Sequence, residues 1–400
     1  MSDVVHESVA GGNATVLAKM AEHATHLWSP EVAFVRGDGA LIYDADGREY
    51  IDCLAGIAVA SVGHGNPRLA EAVATQARRL IVCPQNLGND VRAEFLAELF
   101  TFVRPPLTRA FLSNSGSEAN EAALKWARMA TGRSRFVAAK RGFSGRTMGV
   151  LPLTWEPKYR EPFVEGDSPA KFVTYGDEDE LRAAVTDETA AVLLEPIQGE
   201  SGIRPAGDAY LKLARKLTLE RGALLILDEI QTGVGRTGTF FAHEPSGVDA
   251  DVVTLAKGLA GGVPIGATLM TEAVSSAMPL GGHGTTFGGN PLASAAGLAV
   301  LREIRERGLM EHAQVVGERL SGGLRSLGDS RVVEVRGRGL LIGMELSVPA
   351  ADLVTALMRE GVVTTSGGSN TVRFLPPLVI TAEQVDEVVA RTGRALAAIT

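Results

Sequence analysis

Leu224-Leu225-Ile226-Leu227-Asp228-Glu229-Ile230-Gln231-Thr232-Gly233 is the stretch that decides the fold. It opens with an unbroken aliphatic run and ends on a carboxylate. A strand that is apolar on both of its alternating faces is covered on both sides, as in a parallel sheet flanked by helices. Val252-Val253-Thr254-Leu255-Ala256-Lys257-Gly258-Leu259 has the same form, with a lysine in place of the acid.

Working outward, strands are expected at Arg109–Leu112, Arg135–Ala139, Ala190–Glu195, Ala223–Leu227, Val252–Leu255 and Ile265–Met270. Helices are expected near Ala14–His26 and at Arg68–Leu80, Asp90–Phe102, Glu118–Ala130, Tyr210–Arg221 and Pro291–Arg307. Alternation of this kind predicts an α/β fold with a mainly parallel sheet. Val32–Tyr50 reads as short strands around turns, with Asp46-Gly47 as a hairpin signal. The segment after the long helix is expected to pack with these N-terminal strands as a smaller α+β unit. The expected division is 1–55 and 291–400 for the small unit and 56–290 for the large one.

Composition narrows the function. Of 400 residues, 45% are apolar and 22% charged, with a net charge of -8. Such a balance fits a globular chain and disfavours nucleic-acid binding. No apolar run approaches a membrane span. The first twelve residues lack the basic and apolar stretches of a signal peptide, and Cys53 and Cys83 form no disulfide framework, so a cytoplasmic protein is expected. The seven histidines show no HExxH and no Cys/His cluster, so no metal is expected; His64, between glycines, reads as a turn residue.

Three features lie at strand ends, where α/β sheets bind ligands. Ser113-Asn114-Ser115-Gly116-Ser117-Glu118 runs from strand to helix. Ser115 and Glu118 have capping-box spacing, and the small residues leave N–H groups free for an anion such as phosphate. Asp228 can balance a cation; a Walker-type reading fails because no lysine follows a glycine, so the P-loop is absent. Lys257, one of only eight lysines, follows an apolar strand, where desolvation makes a usable amine. A phosphate cradle, a carboxylate for a pyridinium nitrogen and a nucleophilic lysine together suit pyridoxal phosphate.

At these residues the chain resembles the class III, ornithine/acetylornithine-type aminotransferases of pyridoxal-phosphate fold type I. The likeness runs from about Ala33 to the C-terminus through GIAVASVGHGNP, SNSGSEANEAALK, GFSGRT, LEPIQGESG, LLILDEIQTGVGRTG, TLAKGLAGGVPIGA, HGTTFGGNP and VRFLPPL. The resemblance implies a seven-stranded large sheet, the cofactor pyridoxal 5'-phosphate and a homodimer with shared active sites. Lys257 matches the lysine bonded to the cofactor and Asp228 the pyridinium partner. Ser115, Gly116 and Ser117 match the phosphate cradle. Phe143 and Ile230 match the residues on the two ring faces, Gln231 the residue near the phenolic oxygen, and Thr286 the threonine reaching the phosphate of the other subunit. Arg373 matches the arginine for the α-carboxylate of glutamate and 2-oxoglutarate, and Glu200 the glutamate that masks it. Arg146 matches the arginine for the distal carboxylate, and Thr285 belongs with the substrate-contacting set.

Ser144 departs from the His or Trp of many relatives. The run Trp155-Glu156-Pro157-Lys158-Tyr159-Arg160 resembles a subgroup acting in lysine synthesis on substrates held by an acidic carrier protein, LysW, with N-acetylornithine often accepted too. Lys158, Arg160 and the N-terminal arm are candidate carrier contacts. The expected activity is transfer of a terminal amino group from an α-blocked diamino acid to 2-oxoglutarate, in arginine or lysine synthesis. The alternatives are a 4-aminobutyrate or ornithine aminotransferase, an aminomutase, against which Arg373 argues, and a non-catalytic binding protein, which would lack the lysine or the cradle.

Overall fold

The structure is a computed structural model and describes residues 11–27, 29–164, 166 and 168–399. The rest of the N-terminal stretch read above for a signal peptide, residues 1–10, lies outside them.

The strand Leu224–Asp228 is at the middle of a seven-stranded sheet. The spatial order is Leu107–Ser113, Gly266–Thr271, Val252–Leu255, Leu224–Asp228, Thr189–Leu194, Arg135–Ala139 and Ala170–Val173. Gly266–Thr271 is antiparallel to both its neighbours, while the contacts from Val252–Leu255 to the far edge are parallel. Val192, Leu225, Leu227, Val253 and Leu269 are wholly buried, which is why these segments carry no polar alternation. The helices Gly116–Thr131 and Asp208–Arg221 cover the sheet, the first burying Ala119, Ala122, Ala123, Trp126 and Ala127, while Pro291–Glu306 packs against the helices Pro67–Arg79 and Asp90–Phe100.

The edge strand Ala170–Val173 and the helix Glu178–Ala184 were not foreseen. The first is short and carries Lys171, so its apolar signal is weak.

Phe34–Asp38, Leu41–Asp44 and Glu49–Asp52 form an antiparallel meander, and Val362–Val363 adds to it in parallel, with Val362 opposite Ile51. A second antiparallel sheet joins Val332–Arg338, Leu341–Leu346, Thr371–Phe374 and Thr365–Gly367. The turn at Asp46-Gly47 has Gly47 at φ 85°, where a Cβ is disfavoured. Among the described residues no helix is long and apolar enough to cross a membrane, and no group of three or more His, Cys, Asp or Glu is placed to hold a metal ion.

Candidate active site

A cleft of about 310 Å³ opens at the carboxyl ends of the central strands. Ser115, Gly116, Ser117, Phe143, Glu200, Asp228, Ile230, Gln231 and Lys257 all line it. Residues far apart in sequence meet there because strand ends and the turns that follow them converge on one edge of the sheet.

The helix Gly116–Thr131 points its N-terminus into the cleft. Ser115 caps it, its Oγ accepting from Glu118 N–H at 3.2 Å. The expected capping box is only half formed. Glu118 does not reach back to Ser115 N–H; its Oε2 accepts from the backbone and side-chain N–H groups of Asn114, at 2.7 and 2.8 Å. That pulls Asn114 onto the helix and leaves the first-turn N–H groups of Gly116 and Ser117 without a preceding carbonyl to bond. A Cβ on Gly116 would meet Ile230 at 2.9 Å, so the cradle and the Ile230 wall touch only because this residue is glycine.

Asp228 ends its strand buried. Its Oδ2 accepts from Asn120 Nδ2 at 2.7 Å and its Oδ1 from Ile230 N–H at 3.0 Å. Burial pushes the carboxyl up to about 6, against the lowering effect of those two bonds and of Lys257. Asn120 also donates to Ser144 O at 2.8 Å and accepts from Thr254 Oγ1 at 2.8 Å. Desolvation lowers the Lys257 ammonium below its ordinary range, with Arg373 adding to the effect and Glu200, Glu195 and Asp228 opposing it. Lys257 itself has φ 40°, a left-handed backbone at the start of a short turn.

Arg373 is buried and pairs with Glu200 through two contacts, Nη1–Oε1 at 2.9 Å and Nη2–Oε2 at 3.2 Å. Burial raises the Glu200 carboxyl, but Arg373, with Lys257 and the Gln231 bond, outweighs it and the net shift is downward. Gln231 Nε2 donates to Glu200 Oε1 at 3.3 Å, while its own amide oxygen is buried without a protein partner.

The remaining expected residues lie outside this lining. Arg146 is exposed and stacks over Tyr159, 3.4 Å from the ring centroid, and 5.7 Å from that of Phe143. Thr285 accepts from Asn114 Nδ2 at 3.0 Å. Thr286 is exposed. Arg160 turns inward: its Nη1 bonds the carbonyls of Thr154 and Trp155 and its guanidinium packs over Phe172. Lys158 stays near the Tyr159 ring.

Two buried polar residues around the cleft did not stand out in the sequence. Glu195 lies in the lining with its carboxylate bound by Phe143 N–H at 3.1 Å and Gly199 N–H at 3.0 Å. Burial and the nearby Asp228 push it up to about 8. It reads as a strand end in sequence, and only the proline after it hints that the chain turns there. Asn120 is the other, a polar residue on an otherwise alanine-rich helix face.

The family described as Aminotransferase class-III matches residues 22–396. A [LysW]-aminoadipate semialdehyde transaminase of Deinococcus radiodurans is 53% identical over 92% of this chain and 86% of its own length. An acetylornithine aminotransferase of Mycobacterium tuberculosis is 47% identical over 90% of this chain and 91% of its own. Among solved structures, the ornithine aminotransferase of Toxoplasma gondii crystallised with oxidised glutathione, which holds pyridoxal phosphate at partial occupancy in its active site, superposes with a TM-score of 0.92 at 32% identity. The overlap covers 97% of this chain and 94% of that one. The strand-end cleft and the near-complete overlap lead to one conclusion: the chain belongs to the class III aminotransferases and is an aminotransferase.

Proposed function

We propose that this aminotransferase uses pyridoxal 5'-phosphate to move the terminal amino group of an α-amino-blocked diamino acid, N2-acetylornithine or a carrier-held lysine, to 2-oxoglutarate, and to run the exchange in reverse from glutamate. The Arg373–Glu200 pair carries this reading. A ping-pong exchange between a terminal amine and a 2-oxo acid presents a carboxylate beside the reacting carbon in only one of its halves. A buried arginine covered by a swinging glutamate serves both halves, because the bare guanidinium binds a carboxylate in two parallel hydrogen bonds and the covered one repels nothing.

The cleft suits the cofactor. Ser115–Ser117 would hold its phosphate at a helix N-terminus, Asp228 its ring nitrogen and Lys257 its reactive carbon by a covalent bond, between the apolar walls of Phe143 and Ile230. The unpartnered amide of Gln231 offers a polar contact nearby. When bound, pyridoxal phosphate supplies an electron sink for the electron pair left by the broken C–H bond. The desolvated Lys257 amine, once free, takes the proton from the substrate carbon that bears the nitrogen. Glu195 holds the Phe143 loop and the Gly199 turn together, which keeps Glu200 within reach of Arg373.

A second, polar cavity of about 770 Å³ shares Phe143 and Glu200 with the cleft, and leaves room for a blocked α-amino group and what it is attached to. Thr286 and the exposed apolar side chains of Leu80, Ile81, Val82, Leu280 and Phe287 support pairing with a second copy that completes the phosphate site. The setting is a cytoplasmic one, in arginine or lysine synthesis.

An absorption titration tests this. Visible absorbance of the bound cofactor should bleach with N-acetylornithine and return with 2-oxoglutarate. Bleaching only by the carrier-bound amine would assign the donor to lysine synthesis. Faster bleaching by 4-aminobutyrate or free ornithine would overturn the donor reading.

A further inference from the structure

Ala55, Gly56, Ile57 and Ala58 have φ of 51°, 62°, 68° and 61°. They form one complete left-handed turn, closed by Ala58 N–H donating to Leu54 O at 2.9 Å and Val59 N–H to Ala55 O at 2.7 Å. L-residues avoid this hand because Cβ crowds the following carbonyl, and they visit it singly rather than in runs. Three of these four residues carry a Cβ, so something must hold the turn.

Asp52 does so. It is buried, and its Oδ1 accepts from Leu54 N–H and Ala55 N–H, both at 2.8 Å. Its Oδ2 lies 2.7 Å from His64 Nε2. His64 is pinned in turn by reciprocal backbone bonds with Gly39, at 2.8 and 2.9 Å. The turn packs against Lys257–Ala260, the segment that starts at the cleft lysine. The approach beside it is so close that a Cβ on Gly258 would come within 2.4 Å of Ser61 Oγ. Val59, at the end of the turn, lines the cleft. A left-handed turn, Ala55–Ala58, thus lies against the short segment that begins at Lys257, itself left-handed.

We propose that Asp52 is a positioning residue for Lys257: it holds the Ala55–Ala58 turn, and the turn's contact with Lys257–Ala260 fixes where the amine sits. This rests on the assignment of Lys257 as the lysine that bonds the cofactor.

Gly56→Ala and Asp52→Ala in the full chain test it. A Cβ on Gly56 meets nothing nearer than Val59 Cβ at 3.7 Å, so Gly56→Ala alters backbone preference alone. Protein stripped of cofactor is mixed with pyridoxal phosphate, trapped with borohydride at intervals, and the modified lysine located by peptide mass. Labelling at Lys257 should slow roughly three- to tenfold in Gly56→Ala and at least about tenfold in Asp52→Ala. The exposed Lys19 and Lys216 should label at the wild-type rate. In turnover, kcat should fall in the same order while KM for 2-oxoglutarate, set at Arg373, stays constant. Adding Ala58→Gly to Gly56→Ala should restore labelling by returning a glycine to the turn. Wild-type protein that fails to label at Lys257 would remove the functional reading itself. Wild-type labelling with no slowing in folded Gly56→Ala, or no rescue by Ala58→Gly, would overturn the positioning role. Gly56→Ala decides alone if Asp52→Ala does not fold.

Discussion

Replacing Glu200 by Gln should tighten the grip of Arg373 on the 2-oxo acid. The two side chains meet at 2.9 and 3.2 Å, with Arg373 3% exposed and Glu200 35%. Coulomb's law at 2.9 Å and an effective dielectric near 20 gives an attraction of about 6 kcal/mol. Desolvation of both groups and the partial exposure of Glu200 reduce the net to ~1–3 kcal/mol. An incoming carboxylate must displace that interaction. Gln keeps the shape and one acceptor but no charge, so most of the competition disappears. At 1.4 kcal/mol per factor of ten, KM for 2-oxoglutarate should fall about 5- to 100-fold. Lys257 loses the neighbour that most supports its charge, so its amine should titrate still lower. Steady-state kinetics with 2-oxoglutarate varied at saturating donor reads the first effect, and the acid limb of the rate profile reads the second. An unchanged or raised KM in a folded Glu200→Gln protein would refute the masking of Arg373.

Three other outcomes are expected. Lys257→Ala should lose covalent cofactor retention and at least about a thousandfold in turnover, measured by borohydride trapping and single-turnover kinetics. Phe95→Ala should cost about 3–5 kcal/mol in urea unfolding of the apoprotein, because Phe95 is wholly buried and a Cβ on Gly297 would lie 2.6 Å from its ring, leaving little room for the site to be refilled. Glu195 is raised to about 8 in the folded chain, so its contribution to stability is intact below the ordinary carboxylate range and is lost as pH rises toward 8. Glu195→Gln apoprotein should therefore gain stability relative to wild type between pH 5 and 9, read from paired thermal melts; parallel curves would count against it.

The central strands were legible because burial on both faces makes them mostly aliphatic, as in Leu224–Leu227, and the polar Thr254 in Val252–Leu255 is accommodated by its bond to Asn120. The antiparallel direction of Gly266–Thr271 was not read, although the chain between Leu255 and Gly266 is too short for the helical crossover that a parallel neighbour needs. The pairing of Val362–Val363 with Glu49–Asp52 joins the two ends of the sequence, and nothing local in either segment specifies it. Candidate site residues stood out where a residue type that is otherwise rare sits at a strand end, as with Lys257 and Asp228, and both line the cleft. Supporting residues were not: Glu195 serves through its bonds to two backbone N–H groups, which leave no mark on composition or spacing. Arg160 shows how charge alone misleads about placement. Its charge suggested a surface contact, yet the side chain lies partly buried with Nη1 bonded to two carbonyls of its own loop.

Asn120 ties these threads together and gives the last prediction. One amide bonds Asp228 Oδ2, Ser144 O and Thr254 Oγ1, so it links the acid, the loop bearing Phe143 and the neighbouring strand. Its bond is the chief protein influence holding Asp228 down against burial. Asn120→Leu removes the donor to Oδ2, leaving the buried Asp228 carboxylate only its bond from Ile230 N–H, beside an unpaired Ser144 carbonyl. A hydrogen bond to a charged group contributes about 1.5–3 kcal/mol, so Asp228 should titrate one to two pH units higher and the apoprotein should weaken by a similar energy. Asn120→Asp keeps the shape but sets a second carboxylate against the first, and should shift Asp228 further than Asn120→Leu does. Carboxyl titration by isotope-edited infrared spectroscopy on the apoprotein separates the two variants. An Asp228 that titrates identically in wild type and both variants would show that burial alone sets its proton affinity, and that Asn120 serves only to hold the Ser144 loop in place.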